Sequence, residues 1–142
     1  MTMADATPSL HHVVFCVRSE NQERAAAFWR DLGFEFVDID LPEVGLRVML
    51  DWDRGIEVIA PTEGAGEMAA PFLEFLAEHG EGVYSVVVRT ADVDAPISIA
   101  ARYGATVEYQ QHREDEGHSL DEASLSPMYG MRVTFVATDR PG

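Results

Sequence analysis

Basic residues are scarce in this chain: ten Lys and Arg stand against 25 Asp and Glu, a formal net charge of −15 over 142 residues. A field of that sign repels polyanions, so nucleic acid and an anionic membrane are excluded as expected partners. Cysteine is nearly absent. The single Cys16 cannot close an internal disulfide, which fits a reducing compartment and the expectation of a cytoplasmic protein. It stands in the run Val13-Val14-Phe15-Cys16-Val17, where a thiol reads as a small buried hydrophobe rather than a nucleophile. No apolar run approaches the roughly 20 residues needed to span a bilayer. Met1 to Pro8 lacks the basic stretch and apolar run of a secretion signal. With 46% hydrophobic residues the chain can bury one good core.

What is present is one pattern written twice. Leu10 to Val17 reads as a strand, and Ser19 with Gln22 three residues on is a capping-box pattern that opens a helix. Ala25, Phe28, Trp29 and Leu32 fall on one face of that helix, and Gly33 ends it. Phe34 to Ile39, Leu46 to Leu50 and Ile56 to Ala60 read as three further strands. A bridging helix follows, with Pro71 near its start, Gly80 past its end and Phe72, Leu73, Phe75 and Leu76 on its buried face. The unit then begins again: strand Val83 to Arg89, helix Asp92 to Tyr103, Gly104, strand Ala105 to Tyr109. Laying Leu10-His11-His12-Val13-Val14 on Val83-Tyr84-Ser85-Val86-Val87 brings Gly33 close to Gly104, two residues out of step, as in a duplicated module. The boundaries that follow are 9–61 for the first module, 62–81 for the bridging helix and 82–142 for a divergent second module, all within one structural domain. The fold class is α+β.

After Tyr109 the second copy departs. Gln110 to Gly130 is a long polar stretch, of the length that marks a functional, lid-like or disordered loop. One further strand, Met131 to Ala137, is evident. It admits two readings: the last strand of the module, or the penultimate one, in which case the second module lacks its last strand.

The segments Leu10-His11-His12-Val13-Val14, Pro42-Glu43-Val44-Gly45-Leu46-Arg47-Val48 and Gly55-Ile56-Glu57-Val58-Ile59-Ala60-Pro61 resemble the vicinal oxygen chelate superfamily. Phe75-Leu76-Ala77-Glu78-His79-Gly80-Glu81-Gly82-Val83 and Gly130-Met131-Arg132-Val133-Thr134-Phe135-Val136 add to the likeness. That superfamily includes glyoxalase I, extradiol dioxygenases, bleomycin-resistance proteins and methylmalonyl-CoA epimerase, and the likeness is nearest to the epimerase group. It implies two βαβββ modules forming a cupped mixed sheet with flanking helices.

The resemblance also implies a divalent metal ion in the cup, held by a His on the first strand and a Glu or Gln on the last strand of each module. His12 and Glu57 match that pair in the first module, a donor set that suits Zn, Fe, Co, Mn or Ni. The second module has Ser85 where the His is expected, and Thr134 or no residue where the carboxylate is expected. The expected site is therefore degenerate, with its metal weakly held or absent. Glu57 is the candidate catalytic base. Among other polar residues, His112 and His118 fall in the long polar stretch, Tyr84 and His11 point away from the cup, and His79 suits a helix C-terminus.

Strand alternation places Val14, Val48, Leu50, Ile59, Val87 and Phe135 in the cup, with His12, Glu57 and Ser85 as polar fixers. Arg47, Arg89 and Arg132 are scarce cations on strands, and Arg47 is a candidate for binding a ligand carboxylate. The expected ligand-binding residues are thus Arg47, Val48, Leu50, Ser85 and Phe135. The resulting function is a cup that binds a small, largely apolar molecule; the alternative is a metal-dependent isomerase or lyase moving a proton next to a carbonyl. A third reading is an interaction module whose unfinished sheet edge needs a cover. A homodimer is the expected cover, and the resemblance implies the same.

Overall fold

The computed structural model describes residues 7–62 and 66–142. It contains eight strands and three helices among the described residues. They fall into two compact units, residues 12–84 and residues 85–142 together with the N-terminal stretch through His11.

In the first unit β1 (Ser9–Cys16), α1 (Gln22–Asp31), β2 (Val37–Leu41), β3 (Leu46–Asp51) and β4 (Ile56–Pro61) follow in turn, and α2 (Ala70–His79) comes after them. The strands lie in the order β2-β3-β4-β1. The β1–β4 pair is parallel and the other two pairs are antiparallel. Helix α1 covers one face, with Ala26 packed against Met49 and Val58, and Trp29 and Phe36 beside them. Phe28 and Leu32 are exposed instead of joining the buried stripe. Gln22 takes their place in holding the helix down. Its side chain does not close a capping box; it is buried and donates from Nε2 to the carbonyls of Arg47 at 2.8 Å and Val58 at 3.1 Å. On α2, Leu76 is buried while Leu73 is exposed, and Gly80 ends the helix at a φ of 79° that favours glycine.

The second unit repeats the order with β5 (Gly82–Arg89), α3 (Asp94–Ala101), β6 (Val107–Asp115), β7 (His118–Leu125) and β8 (Val133–Thr138). Its strands lie β5-β8-β7-β6, with β5–β8 parallel and the rest antiparallel. The second module is therefore a complete βαβββ, and the reading in which it lacks its last strand is overturned: β8 pairs with β5 as β4 pairs with β1. The polar stretch after Tyr109 is not a loop but a β6–β7 hairpin that turns at Glu116 and Gly117, both with positive φ. Polar pairs across the strands hold it, among them His112 Nδ1 with Asp121 Oδ1 at 2.7 Å and Gln111 Nε2 with Glu122 Oε1 at 3.0 Å. Helix α3 packs on Ala123, Ala137 and Leu125 through Val93, Ile97 and Ala100.

Candidate functional site

The register of each sheet fixes which side chains share a face. In the first unit Val14 pairs with Glu57, Glu57 with Leu50, and Leu50 with Val37. The next row is Cys16, Ile59, Val48 and Ile39. Paired residues point the same way, so Val14, Val48, Leu50, Glu57 and Ile59 lie together on the face opposite α1. His12 joins them two residues before Val14. This face is apolar except for one pair: His12 Nε2 stands 3.2 Å from Glu57 Oε1. His12 is buried at 6% exposure and the Glu57 side chain is 16% exposed. The indole of Trp52 lies 6.2 Å from the imidazole, tilted 51°. Trp52 sits in the β3–β4 turn, which buried Asp51 organises by accepting the backbone N–H of Glu35 at 2.9 Å and of Arg54 at 3.1 Å.

Arg47 is not part of this face. It pairs in register with Ala60 and Asp40, one place out of step with Val48, and so points to the α1 side. There its guanidinium donates to Asp38 and Glu23, each at 2.6 Å. Those bonds hold the arginine above its ordinary pKa and Asp38 below its own. Neighbours on a strand face opposite ways, so Arg47 lies on the side away from Val48 and Leu50, tied to Asp38 and Glu23.

In the second unit the matching rows are Val87, Thr134, Ser124 and Tyr109, then Arg89, Val136, Glu122 and Gln111. Ser85, two residues before Val87, stands where His12 stands before Val14. Thr134 stands where Glu57 stands. Ser124 Oγ and Thr134 Oγ1 are 3.1 Å apart, and Tyr109 donates to Gln111 Oε1 at 3.0 Å. Phe135 lies on the opposite face, packed with Val93, Ile97, Ala123 and Ala137. Its placement among the inward residues is corrected for the same reason of alternation, since Thr134 takes the inward station. The polar residues Ser124, Gln111 and Glu122 were missed by sequence reading because the stretch from Gln110 on was taken for a loop; Tyr109, read as the end of a strand, joins them only through the hairpin register. Trp52 was missed because a turn residue shows no alternation.

A metal site of the superfamily kind needs three or four protein donors. The first unit offers two, in direct contact with each other, and the equivalent stations of the second unit carry hydroxyls. Among the described residues no group of three or more His, Cys, Asp and Glu side chains converges. The donor set does not fit a first-row metal ion held by the protein alone. Cys16 is no substitute: burial pushes its thiol up to about 12, so it carries no thiolate. His112 bonds to Asp121 across the β6–β7 hairpin and His118 lies 3.3 Å from Asp139, each a local pair within the second unit.

The structure is similar to a methylmalonyl-CoA epimerase solved with methylmalonyl-CoA and NH4+, with 24% identity, 93% of this chain and 95% of that chain covered, and a TM-score of 0.68. It is similar to the Mycobacterium tuberculosis methylmalonyl-CoA epimerase at 22% identity, covering 90% of this chain and 86% of that one, with a TM-score of 0.65. A hypothetical protein from Bacillus halodurans C-125 superposes with a TM-score of 0.69 at 19% identity over 96% of this chain and 99% of its own. No curated protein sequence matches. Likeness at these identities shows a common fold. A family model described as the glyoxalase/bleomycin resistance protein/dioxygenase superfamily matches residues 11–123, more than half the chain, and the protein belongs to that superfamily, the one with the vicinal oxygen chelate fold.

Proposed function

We propose that this protein binds a small, largely apolar molecule on the face of the first unit that carries His12 and Glu57, without needing a resident metal ion. One observation carries the reading: a part-buried His–carboxylate pair 3.2 Å apart on a face otherwise made of Val14, Val48, Leu50 and Ile59. Such a surface, apolar with a few convergent polar groups, is the usual form of a small-molecule site. Val48 and Leu50, which keep partial exposure, supply contact area, at about 25 cal/mol per Å² of apolar surface removed from water, over a floor of buried Val14 and Ile59. His12 and Glu57 fix the orientation of one polar group on the ligand. Because the imidazole contacts Glu57 directly, it holds the carboxylate in place, and a ligand donor meets an acceptor whose position is already set. Ser85 and Thr134 offer neutral hydroxyls on the corresponding face of the second unit, suited to carbonyl or hydroxyl groups.

Likeness in fold to the methylmalonyl-CoA epimerases favours a second reading, proton transfer next to a carbonyl. There Glu57 is the base, within hydrogen-bond reach of an acidic C–H only when the carbonyl is bound alongside. Stabilising the resulting enolate needs an electrophile, and the face of the first unit that carries Glu57 sets only the His12 imidazole beside it. A chain with a formal charge of −15 also disfavours a polyphosphorylated thioester.

Native mass spectrometry of protein purified without added ligand tests the first reading: a retained small molecule lost in Glu57→Gln supports it. Deuterium incorporation into 2-methylmalonyl-CoA in D2O, abolished in Glu57→Gln, would move the second reading ahead.

A further inference from the structure

Three parts of the second unit border one cavity on the helix side of its sheet. Val88 and Phe135 pair across the parallel strands β5 and β8 and line its floor. Helix α3 and the residues just past it contribute Ile99 and Tyr103. The remaining wall is a two-residue turn, in which Met128 and Met131 exchange backbone hydrogen bonds of 3.0 and 2.8 Å. The volume is about 420 Å³, within the usual range of small-molecule pockets.

No lining residue carries a charge, and the side-chain hydroxyls among them are those of Thr90, Tyr103 and Tyr129. Thr90 Oγ1 already donates to the Asp92 carbonyl at 2.6 Å. Ile99, Tyr103, Tyr129 and Met131 are all exposed, a cluster of large apolar side chains of the kind that marks a binding surface. Tyr129 and Gly130 have φ of 52° and 77°, the two positive values that favour Asn-Gly in such a turn. A bulky aromatic in that conformation is strained, and strain of this kind points to a residue held for what it touches.

We propose that this cavity is a second small-molecule site, for an uncharged aromatic molecule of one or two fused rings, independent of His12 and Glu57. An ionised ligand would lose its hydration with no opposite charge to replace it. An anion would also meet the field of a chain of charge −15. The thioethers of Met128 and Met131 and the Phe135 ring favour an aromatic partner, and unbranched methionines adapt to its outline. Tyr103 and Tyr129 supply phenols for a single hydroxyl or carbonyl on the ligand.

Methyl NMR of the full chain, labelled at the methionine methyls, tests this with 2-naphthol as the probe. The Met128 and Met131 signals are expected to shift saturably, while that of Met49, packed on Ala26 and Val58 in the first unit, stays fixed. The anion 2-naphthoate is expected to bind at least about tenfold more weakly, and saturated decahydro-2-naphthol about threefold more weakly. Tyr129→Asn relieves the turn, so it is expected to fold at least as stably yet to bind 2-naphthol at least about threefold more weakly. Ile99→Glu, an exposed change on α3, is expected to weaken binding likewise. Glu57→Gln is expected to leave it unchanged, which separates this site from the ligand face of the first unit. Unmoved Met128 and Met131 signals, equal affinity for either analogue, or full affinity in both Tyr129→Asn and Ile99→Glu would each overturn the proposal. So would signals that follow protein concentration and ignore 2-naphthol, which would assign the surface to contact between chains.

Discussion

Glu57 and Thr134 occupy the same station of their two modules: Glu57 pairs with Val14 across parallel strands β1 and β4, and Thr134 pairs with Val87 across parallel strands β5 and β8. His12 and Ser85 precede those valines by two residues each. The first module thus keeps a His and a carboxylate on its inner diagonal, and the second has two hydroxyls there. Ser85→His/Thr134→Glu rebuilds a nitrogen–carboxylate pair on the second unit. Isothermal titration with Co²⁺ is expected to show affinity at least about tenfold above the wild type, since two added donors strengthen a site for such an ion. No gain in affinity would mean the diagonals are not equivalent.

The His12–Glu57 contact also predicts a stability pattern. His12→Ala leaves a carboxylate of 16% exposure without that partner and is expected to cost roughly 1–3 kcal/mol in urea unfolding. Glu57→Gln keeps a hydrogen-bonding group beside the imidazole and is expected to cost less. Equal losses in the two variants would contradict a direct bond.

Gln22 anchors α1 to β3 and β4 through bonds of 2.8 and 3.1 Å. Gln22→Ala removes both donors and opens a small void, and is expected to destabilise the protein by about 2 kcal/mol. A capping role alone predicts a smaller loss, which Ser19→Ala measures directly.

The order of elements was legible in the sequence because the first module obeys simple periodicity: alternating apolar residues in β1, β3 and β4, and glycine stops at Gly33 and Gly80. The β6–β7 hairpin was not legible. Its strands, Val107–Asp115 and His118–Leu125, are largely polar, and what holds them is pairing between residues distant in sequence, such as His112 with Asp121, which no local window shows. The same blind spot hid Gln111, Glu122 and Ser124. Within the candidate site, His12, Glu57, Val48 and Leu50 were placed on one face by alternation, and the structure brings them together. Arg47 and Phe135 fell on the other faces because each sits one residue from an inward station.

The hairpin turn gives a further prediction. Glu116 and Gly117 both have positive φ, 50° and 80°, so Glu116→Asn is expected to stabilise the protein by a few tenths of a kcal/mol and Gly117→Ala to destabilise it by about 1 kcal/mol or more. Thermal melts of the two variants check this. The opposite ranking would mean that residues 115–118 do not form the turn.

Acid should loosen two ties. Asp38 is held below its ordinary 3.8 by hydrogen bonding from Arg47, and Glu81 below its ordinary 4.5 by hydrogen bonds from Asn21 and the Arg18 backbone N–H. A lowered carboxylate contributes stability that is present above its unfolded value and lost as pH falls through the folded one. His112 runs the other way: Asp121 raises its pKa above 6.5, so its contribution is full below 6.5 and fades as pH rises through the raised value. Unfolding curves of Asp121→Asn from pH 6 to 8 are expected to be flatter than those of the wild type, and Glu81→Gln flatter below pH 4.5.

The most direct test of the account is metal content. Protein purified without chelator, analysed for metals and then titrated with Zn²⁺, Co²⁺ and Mn²⁺, is expected to hold far less than one ion per chain and to bind added metal only weakly, with His12→Ala making little difference. Near-stoichiometric metal that disappears in His12→Ala would contradict a metal-free ligand face and move the metal-dependent isomerase or lyase ahead of it.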